Sequence, residues 1–230
     1  MYDDLEYGRF LLINVFRKFI QKYDLPTELK VLVLGGSEEE PELKILRELN
    51  HKIDFKLYGI EKNENFLDLN EVNEFQNIDI DLILCSNVLE HVWNIENFFE
   101  NIKKLCNKKT LVYINCPKSN IEHGSPEYYS AGYPKGFLVK NLENKGFKVL
   151  EAGEVGSERY YKSIHLLQSW YTKIDIEKKY RFKNNSLFFK INHLSKLYNL
   201  GHFLSISRSS NNNDKSAFMT NSYVFSIRNG

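Results

Sequence analysis

The sequence predicts an α/β fold in which a mostly parallel sheet lies between two layers of helices. Three apolar runs, at residues 30–34, 81–85 and 110–115, lack the polar alternation of half-exposed strands. Such runs are typical of strands buried on both faces of a parallel sheet. Segments with helical spacing of apolar residues lie between them. With 230 residues, the chain is long enough for one domain with an insertion. We therefore expect a three-layer α/β/α sandwich.

The same two periodicities place the elements in order. They predict a helix at 11–23 within an N-terminal helical segment 8–24, then strands at 30–34 and 55–60 with a helix at 41–50 between them. A strand at 81–85 with a long helix after it, a strand at 110–115 and a helix at 135–144 follow. The last elements are a strand at 147–152 and a final antiparallel strand at 222–227 within 220–228. Pro26 ends the first helix, because the residue before a proline disfavours the helical conformation. Pro41 suits the first turn of the second helix, and Gly146 suits the end of the fourth.

Composition excludes several classes of protein. The formal net charge of +1 argues against a broad nucleic-acid interface. No uninterrupted apolar stretch is long enough to span a bilayer, and Asp3, Asp4 and Glu6 do not resemble a secretion signal. The three cysteines and six histidines show no disulfide or metal-binding spacing. We expect a cytoplasmic protein without a metal site.

The most informative stretch runs from residue 79 to residue 105. A buried strand at 81–85 is followed by a polar turn, where we expect Ser86, Asn87, Glu90 and His91 to be exposed. The carboxyl end of a strand is where open α/β sheets bind ligands. A long helix is predicted to follow directly, with one apolar face made of Val88, Val92, Ile95, Phe99 and Ile102.

The sequence from Ser86 to Val92, S-N-V-L-E-H-V, resembles the signature of class I S-adenosylmethionine-dependent methyltransferases. In that family the fourth strand is often followed by V-L-E-H-V. The resemblance covers residues 30–152 and the last strand. It implies a Rossmann-like sheet of seven strands whose last strand is antiparallel, with a helical insertion at 153–215 and S-adenosylmethionine as cofactor. The alternative is an unrelated βα unit with a polar turn.

The turn after the first strand is similar to the family's cofactor turn. By this resemblance Gly35, Gly36 and Ser37 would hold the methionine end of the cofactor, and Ser86 and Asn87 would lie beside it. A glycine turn allows a ligand to approach the backbone closely. The family pattern is an acidic residue followed by G-x-G-x-G, whereas this chain has Val33 at the acidic position and keeps only the first glycine of the three.

The next two polar positions follow the second strand and a short third strand. Glu61 ends the second strand, 26 positions after Gly35, and could accept hydrogen bonds from both ribose hydroxyls. This spacing also fits a dinucleotide site, although the G-x-G-x-x-G motif is missing. We place Lys62 in the same site. By resemblance Asp68 would accept a hydrogen bond from the adenine amino group and Leu69 would pack on the ring. The Asp-Leu-Asn sequence also makes a good turn.

The acceptor side is predicted in the loop after the fifth strand. Residues 122–134 are similar to an H-G-x-P-E-x-Y acceptor loop of small-molecule methyltransferases. Tyr128, Tyr129 and Tyr133 would wall the acceptor, or would simply pack the loop. One histidine, His91 or His123, would act as the base, because methyl transfer needs a group that titrates near neutrality. The alternative for His91 is a backbone contact at the start of a helix. Arg159 could meet an anionic group of the acceptor.

The function expected from the resemblance is O-methylation of a small polar acceptor, such as a sugar, a sugar nucleotide or a phosphorylated metabolite, in surface-polysaccharide or natural-product biosynthesis. A non-catalytic Rossmann-like partner subunit is the first alternative. A nucleic-acid methyltransferase is the second, and the near-zero net charge disfavours it. The insertion could cap the site or form a homodimer contact.

Overall fold

The computed structural model describes residues 7–58, 67–75, 79–118, 128–156 and 220–229. Ten helices and strands in these ranges are, in chain order, α1 (Tyr7–Ile20), β1 (Glu28–Leu34), α2 (Pro41–Glu48), β2 (Lys52–Tyr58), β3 (Leu82–Ser86), α3 (Ile95–Leu105), β4 (Leu111–Pro117), α4 (Lys135–Asn144), β5 (Phe147–Val155) and β6 (Asn221–Arg228). None of the helices in the described ranges is long and apolar enough to cross a membrane.

The strands form one mixed sheet in the order β2-β1-β3-β4-β6-β5. β1 pairs in parallel with β2 and β3, and β3 pairs in parallel with β4. β6 lies antiparallel between β4 and β5. This confirms a mostly parallel sheet with an antiparallel last strand. Six strands are present in the described ranges rather than seven. The expected third strand would lie between Glu61 and Asp68, of which only Leu67 is described, outside any strand.

Hydrophobic side chains cover both faces of the sheet, as expected of a sandwich. On one face, strand residues such as Ile83, Val112 and Ile114 pack with α3 and α4. On the other, Leu84, Tyr113 and Phe225 pack with α1 and α2. Alternate residues along each strand therefore meet different helices, because side chains of a strand point to opposite faces in turn.

The region after β3 differs from the prediction of one long helix. A single 3₁₀ turn at Leu89–His91 comes first, and α3 begins only at Ile95. Asn94 caps α3, since its side-chain oxygen accepts a hydrogen bond from the amide of Asn97 at 3.3 Å. Val88 and Val92 are buried, but they lie before the helix rather than on its face. Their spacing fits a helix because both happen to point into the core.

The insertion begins later than residue 153, because β5 continues to Val155. The backbone amide of Thr220 donates a hydrogen bond to the carbonyl of Val155 at 2.9 Å. The chain therefore leaves the sheet and returns to it at neighbouring residues. Residues 157–219, which hold most of the predicted insertion, lie outside the described ranges.

Candidate functional site

The predicted cofactor turns meet at the carboxyl edge of the parallel strands. Leu34, the last residue of β1, is in register with Cys85 of β3, so the turn at residues 35–37 and the turn at Ser86 and Asn87 are neighbours. Gly35 has a φ of 70° and Asn87 a φ of 54°, and this left-handed conformation suits glycine and asparagine. The amide of Gly35 donates a hydrogen bond to the carbonyl of Tyr58 at 2.7 Å, which ties the turn to the end of β2.

The turn after β1 keeps its shape without the family's second and third glycines. A Cβ atom at Gly36 would lie 2.7 Å from Val33 Cγ1 and 2.8 Å from Glu40 Oε1, so a larger residue there would displace these side chains. The hydroxyl of Ser37 accepts a hydrogen bond from the amide of Glu39 at 3.2 Å, while Glu40 Oε1 accepts one from the amide of Ser37 at 3.4 Å. Hydrogen bonds to side-chain oxygens therefore stabilise this turn, whereas in the family pattern flexible glycines form it.

A buried polar network lies beneath Ser86. The Ser86 hydroxyl donates to Glu42 Oε1 at 3.2 Å and accepts from Asn115 Nδ2 at 2.8 Å. Glu42 is fully buried and forms an ion pair with Arg9 at 2.9 Å; Arg9 also pairs with Glu40. Burial raises the pKa of Glu42, and Arg9 opposes this rise. Sequence reasoning missed Arg9, Glu42 and Asn115.

Asp68 lies in a turn, and the side chain of Leu69 points into the core. Asp68 Oδ1 accepts hydrogen bonds from the amide and the side chain of Asn70, at 2.9 and 3.1 Å. Leu69 is only 3% exposed and belongs to the cluster packed under α3. The Asp-Leu-Asn sequence therefore forms the turn that its composition favours.

His91 and two of the predicted tyrosines are brought together. The His91 ring lies 5.9 Å from the Tyr128 ring, centroid to centroid, in an edge-on arrangement. The amides of Tyr129 and Ser130 donate to the carbonyl of Glu90 at 2.8 and 3.2 Å. The loop from residue 128 is thus docked on the 3₁₀ turn that holds His91.

Tyr133 packs on α4. Its ring stacks on Phe137 with 4.6 Å between centroids, and its amide donates to the carbonyl of Pro117 at 2.8 Å. These contacts favour the loop-packing alternative for Tyr133. Gly132 beside it has a φ of 123°, and a Cβ there would lie 2.0 Å from the carbonyl oxygen of Pro117. The loop therefore runs directly against the end of β4.

Glu90, which the sequence predicts to be exposed, is buried, with only 1% of its surface accessible. Within the part of the chain that the structure describes, its Oε2 atom has no hydrogen-bond partner. Burial raises its pKa to about 7, which outweighs the lowering effect of Arg9. Its charge acts on Cys85 and Cys116, whose thiol pKa values burial has already raised. The sequence pattern gave no sign of this, because a charged residue beside a polar turn at a strand end is usually exposed.

Four predicted site residues, Glu61, Lys62, His123 and Arg159, lie outside the described residues. Among the described residues, no group of three or more histidine, cysteine, aspartate or glutamate side chains could hold a metal ion.

Comparisons with known proteins give structural similarity only. No family model matches the chain, and no curated protein matches it. Phosphoethanolamine N-methyltransferase 2 from Haemonchus contortus, solved with S-adenosyl-L-methionine, is similar over 94% of this chain and 53% of its own, with a TM-score of 0.55 and 12% identity. The same enzyme with phosphomonomethylethanolamine and S-adenosylhomocysteine gives a TM-score of 0.54. This chain thus spans about half the length of that enzyme.

A second solved structure has the same fold. Coclaurine N-methyltransferase, bound to N-methylheliamine and S-adenosylhomocysteine, is similar over 95% of this chain and 71% of its own, with a TM-score of 0.53 and 13% identity. At such low identity the similarity concerns the fold, and it agrees with the strand order and the antiparallel last strand. The chain therefore has the Rossmann-like fold of S-adenosylmethionine-dependent methyltransferases.

Proposed function

We propose that this chain is an S-adenosylmethionine-dependent methyltransferase that binds its cofactor along the carboxyl edge of β1 and β3. The observation that carries the proposal is the juxtaposition of the glycine turn after β1 with the Ser86–Asn87 turn after β3. Ligands of open α/β sheets bind at this edge. The bound S-adenosylmethionine and S-adenosylhomocysteine in structures of the same fold support the choice of cofactor.

Each group of residues has a defined role in this proposal. The backbone of Gly35, Gly36 and Ser37, with Ser86 and Asn87 beside it, contacts the methionine end. Glu61 and Lys62 bind the ribose, since a carboxylate can accept hydrogen bonds from both ribose hydroxyls. Asp68 accepts from the adenine amino group. Because Leu69 is buried, only the backbone of that residue is available to the ring in the described conformation.

For the acceptor we propose a small polar molecule that is methylated on oxygen. When bound, S-adenosylmethionine supplies a methyl group on a sulfonium, so the protein mainly has to align the acceptor and remove its proton. His91, fixed beside Tyr128 at the active edge, is the base in this proposal, with His123 as the alternative. Tyr128 and Tyr129 wall the acceptor, Tyr133 packs the loop on α4, and Arg159 binds an anionic group. A role in surface-polysaccharide or natural-product biosynthesis belongs to the same proposal.

Nitrogen is the second candidate for the acceptor atom. Both neighbouring proteins are named as N-methyltransferases. A buried carboxyl group, Glu90, belongs to the same 3₁₀ turn as His91, and when ionised it favours a positively charged neighbour. Methylation assays with amine and hydroxyl acceptors of equal size would separate the two candidates.

Isothermal titration with S-adenosylhomocysteine tests the central proposal and separates an enzyme from a non-catalytic partner subunit. We expect one site per chain. Glu61→Ala should weaken binding by about 1.5–3 kcal/mol, the range for charge-assisted hydrogen bonds. Glu143→Ala, at an exposed position near the end of α4, is the matched control and should bind as the parent does. Absence of binding in the parent would reject the proposed function, and unchanged affinity in Glu61→Ala would remove that residue from the site.

A further inference from the structure

The side chain of Asn70 bridges the Asp68 turn and the loop after His91. Its Oδ1 accepts hydrogen bonds from the backbone amides of Trp93 and Asn94, at 2.9 and 3.1 Å. Its Nδ2 donates to Asp68 Oδ1 at 3.1 Å. Backbone N–H groups are donors, so the atom of the Asn70 side chain that faces Trp93 and Asn94 must be the oxygen. This fixes the orientation of the side-chain amide and directs its NH₂ group at Asp68.

This arrangement fixes one oxygen of the Asp68 carboxylate. Oδ1 accepts from both the backbone amide and the side chain of Asn70, whereas Oδ2 has no hydrogen bond within the described residues. Asp68 is partly exposed, so Oδ2 can be reached by a ligand. A carboxylate held by two donors loses less freedom when it binds a third, which is the advantage of preorganisation.

We propose that Asn70 is a positioning residue that orients Asp68 toward the adenine amino group and links this end of the cofactor to the loop that follows His91. The inference rests on the proposed function, since it assumes that Asp68 reads the adenine. The inference adds Asn70 to the site as a residue whose side chain orients Asp68 and does not itself contact the cofactor. The shared contact with Trp93 and Asn94 makes the position of the turn depend on the segment just after His91.

Asn101 holds the backbone of the same turn independently of Asn70. It is fully buried on α3; its Nδ2 donates to the carbonyl of Glu71 at 2.8 Å, and its Oδ1 accepts from the amide of Asn73 at 2.9 Å. Changing the side chain of Asn70 therefore leaves the turn attached to α3. The expected effect of such a change is a misdirected carboxylate rather than an unfolded loop.

The test measures recognition of the amino group. Titrations compare S-adenosylhomocysteine with its analogue in which purine replaces adenine, so that only the amino group is missing. The parent should prefer S-adenosylhomocysteine by roughly 10-fold or more, the value of one charge-assisted hydrogen bond. In Asn70→Ala this preference should fall to about 2-fold or less. Asn70→Asp keeps an acceptor for Trp93 and Asn94 but faces Asp68 with a like charge, and it should lose the preference as well.

Asn73→Ala is the matched control in the same turn. The Asn73 side chain donates to the carbonyls of Asp68 and Glu71, and not to the Asp68 carboxylate. This variant should weaken both ligands equally and keep the preference. Thermal unfolding of all variants separates a loss of recognition from a loss of folded protein, and Asn70→Asp decides the matter if Asn70→Ala does not fold.

The outcomes separate this inference from the proposed function. A parent that does not bind S-adenosylhomocysteine would overturn both. A parent that binds the two ligands equally would overturn the role of Asp68 and, with it, that of Asn70. A parent with the preference, together with Asn70 variants that retain it, would overturn the role of Asn70 alone. Loss of the preference in Asn73→Ala would also overturn it, because the effect would then come from the stability of the turn.

Discussion

The stability of Glu90→Gln relative to the parent protein should increase as the pH rises to 7 and above. Burial raises the pKa of Glu90 to about 7, from 4.5 for an ordinary glutamate. Between these two values the unfolded chain loses a proton that the folded chain keeps. Stability therefore falls as the pH rises through this window and is constant above it. A difference of about 2.5 pKa units corresponds to a loss of about 3 kcal/mol.

The groups that interact electrostatically with Glu90 are Arg9, the thiols of Cys85 and Cys116, and the hydroxyl of Tyr133. Burial raises the pKa values of the Cys85 and Cys116 thiols, and that of Tyr133, so all three stay neutral. Arg9 stays charged. Glutamine has nearly the same shape as glutamate and no charge. The pH dependence of the difference between variant and parent therefore isolates the Glu90 carboxyl group.

The assay is urea unfolding of both proteins at pH 5 and pH 8, analysed by linear extrapolation. The stability of Glu90→Gln minus that of the parent should increase by about 2–3 kcal/mol between the two pH values. Any constant offset from the new amide cancels in this comparison. Glu143→Gln, at an exposed site, is the control and should show no such increase. A difference that stays constant to within about 0.5 kcal/mol would refute the reasoning, because Glu90 would then titrate alike in both states.

Three further changes test the rest of the site. Arg9→Met leaves Glu42 buried without its partner and should lower the free energy of unfolding in urea by about 3–5 kcal/mol. The double variant Arg9→Met/Glu42→Gln should recover part of this loss. Equal losses in the single and double variants would contradict the importance of the ion pair. Gly132→Ala forces a Cβ against the carbonyl of Pro117 at a φ of 123° and should cost roughly 1–3 kcal/mol, read as a lower Tm, whereas Gly136→Ala meets open space and serves as control. His91→Ala should lower turnover by about 10²–10⁴-fold while affinity for S-adenosylhomocysteine stays within a few-fold; full turnover would move the role of base to another group.

The sheet could be predicted from the sequence because its signals are local. The strands β1, β3 and β4 each hold a run of consecutive buried residues, most of them apolar, that is covered on both faces of the sheet. The start of α3 could not be predicted by spacing alone. Val88 and Val92 fit the helical period, but Val92 has extended dihedral angles and Asn94 begins the helix. The one-sided burial of Val88 and Val92 produces the same spacing as a helix.

The polar network of the site escaped prediction because its members are far apart in the chain. Arg9 and Glu42 are separated by 33 positions, and Ser86 and Asn115 by 29. Pairwise contacts at such separations depend on how α1 and α2 pack on the sheet, which no local pattern encodes. The environment of Glu90 is a similar case, because the loop docked on its carbonyl group begins 38 positions later, at residue 128.

The hydrogen bond between Thr220 and Val155 gives the chain a modular construction. Residues 156 and 219 directly follow and precede this hydrogen-bonded pair, so the two ends of the intervening segment lie at neighbouring positions of the sheet. The entropic cost of closing such a loop grows slowly, by about 0.6 kcal/mol for each doubling of length. Evolution can therefore lengthen, shorten or exchange this segment at little cost to the sheet.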